Sequence, residues 1–151
     1  MSQALKPELL NLLSKDLTDK IETLQSEYKV YMESAANETK STAGDKHDTS
    51  RSMMQLEQEK LAGQLQQFRL QKKTLELIDP WTTAKAVQLG AIVYTNHGNF
   101  FVAVSGKPIQ SENSIFNCIS IQSPIGKALQ GASVGATKEF MGKSYIIQSI
   151  L

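Results

Sequence analysis

The sequence predicts an α+β protein, in which an N-terminal antiparallel coiled-coil hairpin of α-helices precedes a small, mostly antiparallel β-sheet domain with one short helix. Two observations predict this fold class. In residues 10–35 and again in residues 54–75, apolar side chains recur at intervals of three, four or seven, as they do along one side of a helix. From residue 89 onwards, apolar residues fall in short runs between turn-forming residues, which is typical of strands. We therefore predict a helical arm at 1–79, a linker at 80–88 and a sheet domain at 89–151.

The first predicted helix begins near Pro7, because proline is tolerated in the first turn and the acid Glu8 favours the positive end of the helix dipole. It continues for about 30 residues. Its apolar stripe consists of Leu10, Leu13, Leu17, Ile21, Leu24, Tyr28, Tyr31 and Ala35. Such a stripe predicts a long amphipathic helix that needs a partner for its apolar side.

The second predicted helix has apolar residues spaced by seven, which is the repeat of a coiled coil. They are Met54, Leu61, Phe68 and Leu75, with Leu65 at an intermediate position. Gln58 and Lys72 occupy positions in the same stripe where apolar residues are expected. Asp79 is predicted to end the helix, because the residue before a proline is driven out of helical geometry.

The two stripes match each other if the chain folds back on itself. Antiparallel folding gives pairs whose residue numbers add to 92, namely Tyr31 with Leu61, Leu24 with Phe68, and Leu17 with Leu75. The turn is then centred near residue 46. A single helical pair is thin, so we expect its base to pack against the second half of the chain.

A polar, turn-prone interval at residues 37–52 separates the stripes, and the chain must reverse within it. Its middle, residues 42–50, is predicted to form the tip of the hairpin and carries two carboxylates, Asp45 and Asp48. A plainer interpretation also exists, in which Asp45 caps the second helix and Asp48 favours its N-terminal dipole. The two interpretations are compatible.

The sheet domain is predicted from alternating apolar runs and turn residues. Its expected elements are a hairpin of strands at 90–95 and 99–104, a loop at 105–113, a strand at 114–121, a helix at 123–129, and closing strands at 137–141 and 144–150, which meet across 142–143. Ser123 is the expected cap of the helix, with Pro124 in its first turn and Gly131 beyond its end. The linker is expected to include a short helical element.

Composition and charge narrow the classes of function. The chain is 40% hydrophobic and 21% charged, which is typical of globular proteins. It has no apolar run of about 18 residues and no signal-peptide pattern. Its single cysteine, Cys118, cannot form an internal disulfide and is expected to be a small buried residue. We therefore expect a cytoplasmic protein, and the lack of an apolar span predicts no membrane partner. Residues 1–79 carry a net charge of −2, and residues 80–151 carry a net charge of +3. Neither charge is positive enough to indicate a protein that binds nucleic acid through phosphate contacts alone.

Two motifs carry a resemblance to a known family. One is Gly44-Asp45-Lys46-His47-Asp48; the other is Ser123-Pro124-Ile125-Gly126-Lys127-Ala128-Leu129-Gln130-Gly131, followed by Gly135. The first is similar to the tip pattern of the Gre transcript-cleavage factors of bacterial RNA polymerase, which is Gly-Asp, two variable residues and an acid. The second resembles the Ser-Pro-x-small-x-x-Leu-x-Gly segment of their C-terminal domain. With the hairpin, the resemblance covers nearly the whole chain.

The resemblance implies an FKBP-like C-terminal domain, and a coiled-coil arm that enters the secondary channel of core RNA polymerase and reaches the RNA 3′ end of backtracked complexes. It implies that Asp45 and Asp48 help to hold a catalytic Mg²⁺ shared with the polymerase, since Mg²⁺ takes one or two protein carboxylates and keeps waters. The implied tip-supporting residues are Gly44, Lys46, His47 and Thr49. The implied polymerase-docking residues are Ser123, Pro124, Ile125, Gly126, Leu129 and Gly131.

On this resemblance the chain is a monomeric accessory factor, not an enzyme, with no cofactor of its own. It departs from the family pattern at the tip, where Asp48 replaces the usual longer Glu and Thr49 the usual Asn. The usual basic residue before Gly-Asp has Lys40 as its nearest substitute. Two alternatives therefore stay open: a relative that enters the same channel and modulates transcription without cleavage, and a coiled-coil adaptor unrelated to polymerase.

Overall fold

The structure, a computed structural model, describes residues 3–39 and 44–151; at residue 35 and in 37–39 and 44–50 it describes the backbone without the side chains. Helices α1 (Leu5–Thr39) and α2 (Gly44–Glu76) come first, and a six-stranded sheet with a short helix follows. The predicted α+β class is therefore confirmed. Among the described residues, no helix combines the length and apolar character needed to cross a membrane.

The chain packs as two compact units. The sheet unit consists of Met1–Ser14 and Lys73–Leu151, and the helical unit consists of Lys15–Lys72. The first turns of α1 and the end of α2 thus pack with the sheet, in line with the expectation that the base of the helical pair is supported by the second half of the chain.

The sheet is mixed. Its strands are β1 (Ile92–Thr95), β2 (Gly98–Val102), β3 (Ile109–Ser111), β4 (Ser114–Ile119), β5 (Thr137–Phe140) and β6 (Lys143–Ile150), and helix α3 (Pro124–Leu129) lies between β4 and β5 in the chain. The spatial order is β3-β4-β2-β1-β6-β5. Neighbours run antiparallel except β2 and β4, which are parallel with Phe101 opposite Cys118.

Both faces of the sheet are buried, because successive strand residues point to opposite sides. On one face, Val93, Phe100, Val102 and Ile147 form a cluster with Leu129 of α3. The opposite face carries Ile92 and Phe101, which are also fully buried. Cys118 belongs to this second face and is buried, as predicted.

The first turns of α1 pack on the second face. An ideal Cβ on Gly106 would lie 3.3 Å from Cδ2 of Leu13 and 3.9 Å from Cβ of Cys118, so both side chains adjoin this loop. Ser111 at the end of β3 donates a hydrogen bond of 2.8 Å to the Glu8 carboxylate. Leu5 and Leu9 are fully buried along the same helix.

Several predicted boundaries are wrong. Helix α1 begins at Leu5, so Pro7 is its third residue, where its missing N–H costs nothing. Helix α2 begins at Gly44 and includes residue 46, so the predicted centre of the turn is helical. The predicted tip residues Thr42 and Ala43, and also Lys40, lie outside the described residues.

The sheet unit also differs in detail from the prediction. No helix forms between residues 81 and 87, where the chain makes turns and bends. The predicted loop at 105–113 contains strand β3, which pairs with β4 across a tight turn in which Glu112 and Asn113 both have positive φ. The last turn falls at Met141 and Gly142, one residue earlier than expected, and both again have positive φ, as the favoured two-residue hairpin turn requires.

Candidate functional site

The predicted tip acids lie on the first turns of α2. Gly44 is the first residue of this helix, Asp45 the second and Asp48 the fifth. Residues three apart on a helix share one side of it, with about 5–6 Å between their Cβ positions. The backbone therefore brings the two acids together on one side of the helix, near its positive end. The sequence prediction of a cap at Asp45 is wrong, because this residue lies inside the helix and not before it.

The other predicted tip residues, Lys46, His47 and Thr49, are on the same helical stretch. Lys46 and Thr49 are also three apart and share a side, which differs from the side of the acids. The side chains of this stretch lie outside the described part of the structure, so its placement is given by the backbone.

Polar side chains connect α1 and α2 across the helical unit. Gln58 donates a hydrogen bond of 3.3 Å from Nε2 to the carbonyl oxygen of Tyr31. Lys72 donates one of 3.0 Å from Nζ to the hydroxyl of Thr18. Higher numbers on α2 thus meet lower numbers on α1, which is the order of antiparallel helices. These are the two polar residues that interrupt the apolar stripe of α2.

Apolar and charged contacts follow the same order. The Lys20 ammonium lies 5.5 Å from the centre of the Phe68 ring, a distance suited to a cation–π contact. The residue numbers of the three contacting pairs add to 88, 89 and 90, a few below the 92 expected from the apolar pattern. Leu61 and Leu65 are buried, whereas Ile21, Leu24, Tyr28, Met54 and Phe68 are half-buried. Two helices alone cover one stripe of each other, so a half-buried stripe is expected.

The second motif folds as a capped helix, α3. The Ser123 hydroxyl accepts a hydrogen bond of 3.1 Å from the Gly126 N–H and donates one of 2.6 Å to the Ser120 carbonyl. A Cβ on Gly126 would overlap that same carbonyl oxygen and lie 2.8 Å from Cα of Ile121. The helix is therefore held against the preceding loop so closely that only glycine fits.

The end of the motif is also explained by packing. Leu129 is fully buried in the sheet core. Gly131 has φ +81° and donates a hydrogen bond of 2.9 Å to the Val87 carbonyl, so it ends the helix in the left-handed region that glycine favours. Of the predicted docking residues, Ser123, Gly126, Leu129 and Gly131 thus have structural roles, Ile125 is half-buried, and Pro124 is exposed. The exposed side chains that the motif offers to a partner are Pro124, Lys127 and Gln130.

A second group of polar residues surrounds the chain segment after α2. The Lys6 ammonium donates a hydrogen bond of 2.7 Å to the Thr82 carbonyl. The Asp79 carboxylate accepts hydrogen bonds from the Trp81 N–H at 2.9 Å and from the Thr82 hydroxyl at 2.8 Å. Lys6, Trp81 and Thr82 line a cavity of about 350 Å³. This site is not apparent from the sequence, because a lysine in the first turn of an amphipathic helix looks like an ordinary surface residue.

Burial and hydrogen bonding shift the two charged groups of this site. Burial lowers the pKa of Lys6, and the nearby Asp79 charge opposes this shift. Hydrogen bonds from the Trp81 backbone and the Thr82 hydroxyl lower the pKa of Asp79. Both shifts follow the usual rules for desolvation and for hydrogen bonds to the charged form.

The resemblance implies a bound Mg²⁺, and the residues at the start of α2 can be compared with the ligands that this ion prefers. Asp45 and Asp48 offer two carboxylates from one helix side, which is the number that Mg²⁺ accepts when other ligands come from water or a partner. In the part of the chain whose side chains are described, no cluster of three His, Cys, Asp or Glu residues forms. The two acids therefore fit a shared Mg²⁺ by residue type and spacing.

Comparison with known proteins adds no family. Neither a scan against models of protein families nor a search of curated proteins finds a match for this chain.

Proposed function

We propose that this protein is a transcription elongation factor that binds core RNA polymerase and stimulates cleavage of backtracked RNA. In this proposal the helical pair enters the secondary channel, and Asp45 and Asp48 help to hold a catalytic Mg²⁺ at the RNA 3′ end. The observation that carries it is an acidic pair on one side of the first turns of α2, a helix of 33 residues that runs antiparallel to one of 35.

The proposal rests on the length of the two helices and on the charge of the two acids. A helix rises 1.5 Å per residue, so helices of 35 and 33 residues each span about 50 Å. In a two-metal site the metal ions stabilise the attacking and leaving oxygens of a phosphodiester displacement, and the two carboxylates would help to hold one of these ions. The chemistry then belongs to the polymerase, and this chain supplies ligands as an accessory factor.

The finer fold assignments are part of the same proposal. Coiled-coil packing of α1 and α2 is supported by the half-buried stripe and by the contacts of Gln58 and Lys72 with α1. An FKBP-like arrangement of the sheet domain is supported by the resemblance of the α3 motif. Docking on the polymerase is assigned to the exposed residues of that motif.

The test begins with binding and continues with cleavage. The protein is expected to co-purify with core polymerase and to shorten the RNA of stalled, backtracked elongation complexes when Mg²⁺ is present. Asp45→Asn and Asp48→Asn should each abolish shortening without loss of binding. Asp19→Asn, at an exposed position of α1, is the matched control and should leave shortening intact. Normal shortening by both tip variants would refute the proposed role of the acids.

The shorter acid at position 48 favours a second candidate function. An aspartate places its carboxylate one methylene closer to the backbone than the glutamate of the resembled family, so it reaches less far towards a partner's metal. The second candidate is a channel binder that modulates transcription without cleavage. It is supported if the wild-type protein binds polymerase and slows elongation but shortens no RNA, whereas absence of binding leaves a coiled-coil adaptor.

A further inference from the structure

A cavity in the sheet unit has the size and chemistry of a small-molecule site. Its volume of about 350 Å³ falls within the range of ligand pockets, which is roughly 300–1,000 Å³. The first turn of α1 forms one side, and residues 80–83 form the other. We propose that this cavity binds a small planar organic anion, with its ring against Trp81 and its anionic group at the Lys6 ammonium.

The burial of Lys6 indicates that the ligand carries a negative charge. This side chain is only 6% exposed, although lysine is almost never fully buried without a compensating charge. Its hydrogen bond to the Thr82 carbonyl uses one of the three N–H donors of an ammonium. The nearby acid Asp79 provides part of this compensation. Asp79 lines an adjoining smaller cavity, however, and accepts hydrogen bonds from the Trp81 N–H and the Thr82 hydroxyl.

The lining of the larger cavity has the matching polarity. Among the described residues that line it, Lys6 is the only one with a charged side chain, and Gln3 and Thr83 add neutral hydrogen-bonding groups. The lining side chains therefore present one cation and no carboxylate. Leu151 also lines the cavity, and its main-chain oxygen accepts a hydrogen bond of 3.0 Å from the Ile92 N–H. Coulomb attraction in such a partly desolvated site is several times stronger than in water.

The exposure of Trp81 indicates that the ligand has a planar ring. Its side chain is 75% exposed, although indole rings are usually well buried. Trp81 lines the cavity beside Pro80, so an exposed aromatic residue lies next to the buried cation. A planar ligand that stacks on the indole removes apolar area from water while its anionic group reaches Lys6.

The chain carries its own reporter, because Trp81 is its only tryptophan. Indole fluorescence of the full chain can be titrated with three probes: benzoate has ring and charge, benzamide has the ring, and acetate has the charge. Benzoate is expected to change the emission with a Kd of roughly 1 mM, corresponding to about 4 kcal/mol. Benzamide and acetate are expected to bind at least tenfold more weakly.

Variants separate the two contacts. Lys6→Gln should remove the preference for benzoate over benzamide, Lys6→Arg should retain it, and Lys85→Gln, at an exposed position outside the cavity, should change nothing. Because Lys6→Gln places an uncharged amide in a buried position and can fail to fold, Trp81→Ala provides a second variant. Its exposed ring can be removed without unfolding the chain, and ligand-observed NMR should show at least a fivefold loss of benzoate binding.

Three results would overturn the inference. Equal affinity for benzoate and benzamide in the wild-type chain excludes an anion site. Unchanged benzoate binding in a folded Lys6→Gln or Trp81→Ala variant places the site elsewhere. No change with benzoate, together with a fluorescence change on adding an acidic peptide, shows that the surface binds a protein partner and not a small molecule.

Discussion

Gly126 lies where α3 approaches the backbone of residues 120 and 121, and a Cβ there would overlap the Ser120 carbonyl oxygen. We predict that Gly126→Ala lowers the free energy of unfolding by about 2 kcal/mol or more, because backbone on both sides must move apart. Chemical denaturation followed by circular dichroism measures the change. Gly63→Ala is the control, since a Cβ at this site in α2 meets no atom within 4 Å and is expected to stabilise the chain by about 0.5–1 kcal/mol. A neutral Gly126→Ala would contradict the close approach.

Asp79 provides a pH-dependent prediction. Its hydrogen bonds lower its pKa below the ordinary value of 3.8 in the folded chain, so the unfolded chain binds the proton more tightly. The stabilisation is therefore fully present above about pH 5 and is lost as the pH falls through 3.8 towards the folded pKa. We predict that wild type is more stable than Asp79→Asn at pH 6 and that the difference shrinks below pH 4. Thermal unfolding between pH 3 and 7 tests this; a difference that grows in acid has the opposite sign and would count against it.

The residues of α3 illustrate what a sequence reveals about single positions. Ser123 and Gly131 were predictable as cap and terminator, because their roles depend on local backbone geometry, and both predictions are confirmed.

The burial of Lys6 was not predictable from the sequence. Its burial depends on the segment at residues 79–82, which is more than 70 positions away in the chain, and no local pattern encodes that contact.

The stripe of α2 shows polar residues in a structural role. Gln58 and Lys72 each reach a group on α1, and polar residues in a helical seam specify register at a cost in stability. We predict that the double variant Gln58→Leu, Lys72→Leu melts at a higher temperature, with about 1 kcal/mol gained per substitution. Sedimentation should also show more self-association than for the wild type, because two apolar stripes no longer define one alignment. Thermal melts and sedimentation velocity measure both effects.

Gln66→Leu is the control for the seam, because residue 66 is exposed on the same helix. It should change the melting temperature little. A double variant that melts lower than wild type would mean that the two cross-helix hydrogen bonds contribute more than the apolar contacts that replace them.

Long periodic segments were the most predictable elements. The repeats of three, four and seven predicted both helices, since amphipathic periodicity extends over many turns. The start of α2 was misplaced, because residues 44–50 lack apolar residues yet are helical, with an acid in the favourable first turn. Its end was also misplaced, since the helix ends at Glu76 and not at Asp79. Strand β3 has three residues, which is too short for an alternating pattern to be recognised. The turn after it was also not predictable, because it is made by Glu112 and Asn113 and contains no glycine. The parallel pairing of β2 with β4 depends on long-range packing and was also missed.

The proposed function joins the two motifs through one partner. The acids at the start of α2 and the exposed residues of α3 belong to different compact units. The candidate site was predictable as a residue pattern, whereas its place on a helix was not. In the proposed function, the two acids bind the metal together with ligands that a second protein supplies.

Position 48 offers a gain-of-function prediction for the cleavage proposal. Asp48→Glu restores the acid of the resembled family and extends the carboxylate by one methylene. We predict that it increases the rate of RNA shortening in stalled complexes by roughly tenfold, corresponding to about 1.4 kcal/mol of transition-state stabilisation. Glu33→Asp, at an exposed position on α1, is the control for a change of acid length and should have no effect. A slower Asp48→Glu variant would show that the shorter acid is the one suited to the site.

The most direct measurement maps the distance from the polymerase metal to this chain. When Fe²⁺ replaces Mg²⁺ in the active centre of a stalled elongation complex, the hydroxyl radicals that it generates cut the nearest polypeptide. With end-labelled protein bound, we predict that the cuts in this chain cluster at residues 44–50 and that none fall in the sheet unit. Cuts in the sheet unit, or no cuts in a complex that demonstrably contains the protein, would contradict the claim that the start of α2 reaches the metal.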